Sequence, residues 1–548
     1  MKRILCALFA FCLLFGICGC GGDKEPGGVT PGAPWEEAKK NATVITVYVD
    51  ASNLYGSYIK GSDEAYVKDA IEKKFYEDTG NAVNFNINYE THDTFSTKFG
   101  AVMTTGQWDM AISYLGQAGM DEIVLKQDVA MDLADLLDAY PNIIEAIAPE
   151  TMYATTTLTG EVVGLPSSIK SKQKGILIRK DYMTRVGYTE DKTEAETSGG
   201  TLKYCQTIED FTDMLRKMKA QIPECTMPLI GNSYDIEFAI TAGACGTPGY
   251  QYKSVIYNDD GSVKEVVPGW LSEGYDKVLG YEYLWQSEGL WESDNQVKTK
   301  EQRINDYSTG KGAVFCADPN ILDLIDVARQ VKSVNSDAQF TILGPLDAVD
   351  ESGKAIEGSG AFVEVSKATD CMIINKRSTE KAEIIMEYFD WLYSDVENYE
   401  LCAYGIEGEH WVDVGDGFYA YPEGKEDRYM INPPYSGVFR FLYNDDISYR
   451  LYNNYTEEEL GWIEKVENAK TINNPTDCML FYNMSAAVAN EYQTAENNFY
   501  MACPTKAWNA SADPAVTYPE WSATYRKQAP SYIEWLTQQY KLYIAQRG

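Results

Sequence analysis

Thr43-Val44-Ile45-Thr46-Val47-Tyr48-Val49 is a β-branched, apolar run, and its reading decides the fold. Branched side chains are stiff at χ1 and pack well on a pleated surface, so the run predicts a buried strand. The period changes immediately afterwards. Between Ala65 and Thr79, the residues Val67, Ala70, Ile71 and Phe75 share one helical face, and Gly80 stands where a left-handed cap is expected. Val83, Phe85, Ile87 and Tyr89 then alternate with polar residues, which is the period of a strand. Strand, helix and strand in succession predict a βα unit.

Working outward, the alternation continues. Thr94 to Thr104 carries Phe95, Phe99, Val102 and Met103 at helical spacing, and Trp108 to Ser113 returns as a strand. Leu133, Leu136 and Leu137 predict a further helix stopped by Pro141. Thr207 with Asp210 three residues later reads as the N-cap of a helix through Phe211, Met214, Leu215 and Met218. Cys371 to Asn375 reads as a strand, and Ser378 as the N-cap of a helix to Ser394. Repeated βα units predict an α/β protein with a largely parallel sheet and helices on both faces. Ligands of such sheets sit beyond the carboxyl ends of the strands, here Asp50 to Tyr55 and Tyr114 to Gln117.

The start of the chain has a different character. Lys2 and Arg3 precede an apolar and small-residue run from Ile4 to Gly19, too short to span a bilayer comfortably, where about 20 apolar residues are needed. It reads as a signal peptide over residues 1–19. Ile17-Cys18-Gly19-Cys20 resembles the bacterial lipobox, in which the final Cys is diacylated and becomes the mature N-terminus. That resemblance makes Cys20 a lipid anchor to the cell membrane and puts the body outside the cytoplasm. Cys18, where Ala or Ser is usual, is the departure from the pattern, and an ordinary secretory signal cut elsewhere is the alternative. Residues 20–42 are rich in Gly, Pro and charge, as suits a flexible tether.

Charge excludes one large class of partner. The formal net charge is −35, and removal of residues 1–19 takes away two basic groups and no acidic ones. A surface that acidic repels nucleic acid. With 40 Tyr and 13% aromatic residues it is nonetheless a folded chain and not a disordered acidic one. Eight cysteines follow Cys20, and none forms a C-x-x-C or a close Cys/His cluster, so the sequence supports no metal site. Disulfides and small buried thiols remain open alternatives.

A set of ordered segments is more specific. Phe75-Tyr76-Glu77-Asp78-Thr79-Gly80, Asp109-Met110-Ala111, Gly164-Leu165-Pro166-Ser167 and Gly175-Ile176-Leu177-Ile178-Arg179-Lys180-Asp181 follow the opening strand. With Gly310-Lys311-Gly312-Ala313-Val314 and Tyr404-Gly405-Ile406-Glu407-Gly408-Glu409-His410-Trp411, they resemble family 1 extracellular solute-binding lipoproteins of ABC importers, similar in plan to maltose-binding protein. The resemblance implies a two-lobed periplasmic-binding-protein-like fold of type II, with a cleft between lobes joined by crossing hinge segments. It places residues 43–166 and 345–396 in the N-terminal lobe and 167–344 and 397–548 in the C-terminal lobe. Crossings are expected near Gly164–Ser167, Leu343–Pro345 and Ser394–Tyr399. It implies a monomer without cofactor that captures a carbohydrate, an oligosaccharide in particular, and hands it to permease subunits. Asn453 to Gly548 shows only helix-like periodicity and no resemblance.

A sugar presents apolar ring faces and many hydroxyls, so its site needs an aromatic platform ringed by Asp, Asn, Gln or Ser. Asn53 and Tyr55 follow the first strand, and Tyr114 ends another. Ser167 and Ser168 stand where the chain is expected to cross between lobes; a purely structural hinge is the alternative. By the family analogy, Asn232 and Tyr234 face the cleft after the Met227–Ile230 strand. Asp318 and Asn320 follow Ala313–Cys316, with helix capping as the alternative. Trp411 reads either as a stacking ring or as a buried anchor of the second lobe. Trp270, Trp285 and Trp291 read as packing.

Catalytic patterns are missing. The two histidines, His92 and His410, are far apart, and H-E-x-x-H, G-x-S-x-G and the phosphate loop are all absent. A glycosidase carboxylate pair is defined by spacing in space, so an exported glycan-degrading enzyme stays the rival, and a peptide or other polar solute the alternative ligand. The acidic turns Asn258 to Gly261 and Asp413 to Gly417 lack EF-hand spacing and read as hairpin turns, with calcium as the alternative.

Overall fold

The computed structural model describes residues 34–50, 61–115, 120–169, 174–292, 294, 296–316, 320–350, 353–364, 366–452, 454–472, 474–480 and 484–547. The opening run forms β1 (Thr43–Asp50), followed by α1 (Glu64–Thr79), β2 (Val83–Glu90), α2 (His92–Thr105), β3 (Met110–Tyr114) and β4 (Leu165–Pro166). Gly80 and Gly106 end the two helices at φ +81° and +67°, values open to glycine at no steric cost. The short helix Ala134–Leu137 ends before Pro141 as expected, and Pro141 opens another, Pro141–Ala146, because proline's fixed φ and missing N–H suit a first turn.

The chain then crosses to a second unit. β5 (Ile176–Arg179), α3 (Ile208–Gln221), β6 (Leu229–Ile230), α4 (Ser233–Ile236), α5 (Tyr275–Ser287), β7 (Val314–Phe315), α6 (Ile321–Val334) and β8 (Phe340–Leu343) belong to it. Thr207 caps α3 through a capping box with Asp210. The chain returns as β9 (Asp370–Ile374), α7 (Thr379–Ser394) and α8 (Val396–Tyr404), and ends in α9 (Glu457–Glu467), α10 (Ala486–Ala502), α11 (Pro504–Trp508), α12 (Pro514–Gln528) and α13 (Pro530–Arg547). Ser378 does not cap α7 with its side chain. Its hydroxyl donates instead to Asp109 at 2.7 Å.

Two sheets follow. The first has the order β2-β1-β3-β9-β4, in which β1 runs parallel to β2 and β3 while β9 is antiparallel to β3 and β4. The second has the order β8-β5-β7-β6, with β7 parallel to β6 and antiparallel to β5. The first is buried in one hydrophobic core and the second between two, one on each face.

Packing moves the expected lobe boundaries. Leu346, Ala348 and Phe362 still lie in the second core, so the return crossing comes after Val363 and not at residue 345. Residues 397–442, expected in the second lobe, pack in the first: Tyr399, Cys402, Trp411, Tyr435, Phe439 and Phe441 all join its core. The cause is aromatic. Phe85, Tyr388 and Phe441 meet at ring separations of 4.8 to 5.7 Å, and the Tyr388 hydroxyl donates to the Phe439 carbonyl at 2.7 Å. Tyr455, Trp462, Ile463 and Val466 then pack with Phe315 and Phe340, which puts the third crossing between residues 442 and 455 instead of near Ser394–Tyr399. The last four helices bury Phe499, Trp508, Tyr525 and Leu536 in the second core.

Candidate functional site

The three crossings lie side by side. Ser167 N–H donates to the Asp370 carbonyl at 2.9 Å and Ile169 N–H to the Lys367 carbonyl at 2.7 Å. Ser168 N–H donates to the Tyr443 carbonyl at 2.9 Å, and Asp445 N–H to the Ser168 carbonyl at 2.8 Å. Asp477 pins the return crossing by accepting from the Ser366 hydroxyl at 2.6 Å and the Lys367 N–H at 2.9 Å. Ser167 is fully buried, and its hydroxyl donates to the Asp370 carbonyl, while the Ser168 hydroxyl donates to Asp446 at 3.3 Å. Both serines are thus buried in the crossing with their hydroxyls engaged there.

On the first lobe, Tyr114 ends β3 beside this hinge, since Leu115 N–H donates to the Thr369 carbonyl at 2.9 Å. Its ring is partly exposed and its hydroxyl donates to the buried Asp50 at 2.8 Å. The carboxyl ends of β1 and β3 are thus cross-tied. Asn53, Tyr55 and Asp318, as well as Cys20, lie outside the described residues.

On the second lobe, Asn232 and Asn320 are helix caps. The Asn232 side chain accepts the Asp235 N–H at 2.7 Å at the start of α4, and Asn320 the Leu322 N–H at 3.0 Å at the start of α6. Asn320 also bridges through its backbone to Lys174 in the first crossing. Tyr234 behaves differently. Its partly exposed ring lies 5.4 Å from the buried Phe238, which lies 5.7 Å from Tyr252, and Val363, just before the return crossing, backs the group. The Lys174 ammonium stands over the Phe238 and Tyr234 rings at 4.4 and 5.1 Å. These rings sit just beyond the carboxyl end of β6, where a ligand of an α/β sheet is expected.

Phe238, Tyr252 and Lys174 were not expected from the sequence. The available signal was Tyr234 and Phe238 four residues apart and Tyr250-Gln251-Tyr252 after a glycine-rich loop. Trp411 is far from this group. It is 3% exposed in the first core, its indole N–H donates to the Gly405 carbonyl at 3.0 Å, and Tyr404 covers it at 5.3 Å. It is an anchor, in the first lobe and not the second, with no free face for stacking. Trp270, Trp285 and Trp291 are buried packing residues.

The acidic turns are hairpin turns: Asn258 to Gly261 joins the antiparallel strands Lys253–Tyr257 and Val263–Pro268, and Asp416-Gly417 joins Val412–Gly415 to Phe418–Ala420. Among the described residues, no group of three or more His, Cys, Asp or Glu side chains is placed to hold a metal, and no helix is long and apolar enough to cross a membrane.

Two sheets of this topology, each in its own lobe and joined by three adjacent crossings, define the class: a two-lobed periplasmic-binding-protein-like fold of type II. Relatives support that assignment. No protein-family model matches the chain. Over 291 residues it is 22% identical to the polygalacturonan/rhamnogalacturonan-binding protein YtcQ of Bacillus subtilis (strain 168), a match covering 51% of this chain and 51% of YtcQ, about half the length of that relative. Among solved structures, an extracellular solute-binding protein from Bifidobacterium longum subsp. infantis is 16% identical with a TM-score of 0.63, covering 92% of this chain and 99% of that one. The N-glycan transport solute binding protein NgtS from Streptococcus pneumoniae is 15% identical with a TM-score of 0.60, covering 92% and 100%. The chain shares their fold over 92% of its length.

Proposed function

We propose that this protein captures a carbohydrate of oligosaccharide size outside the cell and delivers it to the permease of an ABC importer. The observation that carries the reading is the pair of partly exposed rings Tyr234 and Tyr252, both packed on the buried Phe238 beyond the end of β6, with the partly exposed Tyr114 beside the crossings on the first lobe. Aromatic faces bind the apolar faces of sugar rings, and polar side chains around them meet sugar hydroxyls. The relatives' names fit this: YtcQ is named for polygalacturonan and rhamnogalacturonan, and NgtS for N-glycan transport.

The mechanism is capture without bond breaking. One lobe binds the sugar, the other closes over it about the three crossings, and the permease reopens the pair. The ligand drives closure only by its differential affinity for the closed state. In this reading Cys20 carries the lipid that holds a monomer at the outer face of the membrane.

The test is thermal unfolding of the body from Pro31 onward against mono- and oligosaccharides and short peptides. A ligand at a hundred times its Kd stabilises by about 2.7 kcal/mol. A shift with one sugar class, the sugar recovered unchanged, is the expected result. A shift with peptides alone refutes the carbohydrate, and a consumed sugar refutes capture without chemistry.

A further inference from the structure

Glu237 opens a π-helical turn, Glu237–Thr241, that continues α4. Such turns are rare and concentrate at functional sites. The side chain is buried at 2% exposure, yet both carboxyl oxygens are engaged: one accepts the Tyr250 N–H at 2.6 Å and the other the Tyr275 hydroxyl at 2.8 Å. Its partners come from separate elements, the loop 246–252 and the first residue of α5. Gly249, at φ +84°, comes so close that a Cβ there would stand 2.8 Å from the Glu237 oxygen. The loop is thus clasped to the carboxyl group.

What the clasp holds is the ring cluster. Phe238 is the next residue along the turn, and Tyr252 lies two residues beyond the clasped Tyr250. The contact between Phe238 and Tyr252 at 5.7 Å therefore joins the two sides that Glu237 ties together. A second fully buried carboxyl, Glu282, accepts from the Thr241 hydroxyl at 3.0 Å and the Trp508 indole N–H at 2.7 Å, at the other end of the same turn. Burial pushes both acids above the usual carboxylate range, and the charge of Glu237 adds to the rise at Glu282. Apolar residues of similar size would be cheaper in such a core. A costly pair retained at the root of a ligand-facing cluster points to function.

We propose that Glu237 is a positioning residue for sugar binding, holding loop 246–252 against the π turn so that Tyr252 keeps its place on the buried Phe238 ring and forms, with Tyr234, one aromatic platform. This rests on the carbohydrate reading above.

The experiment titrates the soluble body with maltotriose, 1-kestose and trigalacturonic acid by calorimetry. Tyr252→Ala is expected to weaken the best of these by about tenfold. Glu237→Leu is expected to do the same, whereas Glu237→Gln, which keeps an acceptor for Tyr250, stays within about threefold. Met214→Ala, in the same core but away from the clasp, lowers the melting temperature and leaves affinity unchanged. Where Glu237→Leu does not fold, Gly249→Ala, which presses on the same carboxyl oxygen, replaces it. Wild-type affinity in Glu237→Leu or Gly249→Ala, or an equal loss in Met214→Ala, overturns the positioning role. If Tyr252→Ala and Tyr234→Ala both bind as the wild type does, or none of the sugars binds, the platform reading itself fails.

Discussion

The rings of Tyr153 and Tyr543 meet edge-on, 6.1 Å apart and 72° between planes, and join the two lobes through the last helix of the chain. Tyr153 opens a turn whose Thr155 carbonyl accepts the Val163 N–H, within the first lobe. Tyr543 lies on α13, which packs in the second core, and Gln546 on the same helix donates to the Leu158 carbonyl. Ala154 beside Tyr153 packs with Ala368 of the return crossing, so α13 braces the hinge. The final helices, which the sequence reveals only as periodicity, enlarge the second lobe and reach back to the first.

That pairing is measurable. An edge-to-face aromatic pair contributes about 0.5–1.5 kcal/mol beyond its area. Tyr153→Ala, Tyr543→Ala and the double variant, compared by denaturant midpoint, are expected to show a coupling energy in that range. Strictly additive losses would refute a direct contact.

Asn444 is 1% exposed in the third crossing, where its amide donates to the Ala146 carbonyl at 3.0 Å and its side-chain oxygen accepts the Asp446 N–H at the same distance. Asn444→Ala leaves buried backbone groups without partners, which costs about 1–3 kcal/mol. A fall of a few degrees in melting temperature is expected for a protein this large, roughly 2 °C or less per kcal/mol. No change in melting temperature would show that the hinge backbone does not depend on this side chain.

Burial of Glu282 makes a statement about pH. Its folded-state pKa lies above the ordinary carboxylate value of about 4.3, so the folded state holds its proton more tightly than the unfolded state does. Stability is then greatest at acid pH, below the unfolded pKa, and falls as pH rises toward the raised folded value. Glu237, raised for the same reason, acts in the same direction. Glu282→Gln removes one of these groups while keeping partners for Thr241 and Trp508. Its melting temperature is expected to exceed the wild type's at pH 8 and to converge with it near pH 4.5. Parallel curves from pH 4.5 to 8 would rule out a buried, raised Glu282.

Local signals carried much of the fold. The β-branched run became β1, Gly80 and Gly106 ended helices, and Thr207 with Asp210 formed its capping box, because each depends on neighbours within a turn. What failed depends on distant partners. Ser378 has a cap's sequence context, yet Asp109, far away in the chain, takes its hydroxyl. Trp411 was open to two readings, and only the aromatic packing around Tyr404 decides that it is buried, and in which lobe. The ring cluster was legible only at Tyr234, since Phe238, Tyr252, Val363 and Lys174 reach it from separate parts of the chain.

The cysteines close a question that spacing left open. All eight from Cys205 to Cys503 are buried, and no disulfide joins any two of them. Burial pushes the Cys225 and Cys402 thiols up to about 12 and the Cys371 and Cys316 thiols well above the ordinary value, which leaves little thiolate at neutral pH. Their chemistry is that of small core hydrophobes. The soluble body from Pro31 is expected to react negligibly with a thiol reagent at pH 7.5 when native and to release all eight thiols in guanidinium without reductant. Six titratable thiols in guanidinium would reveal a disulfide. Rapid native reaction at any one of them would mean that its surroundings open far more often than this packing allows.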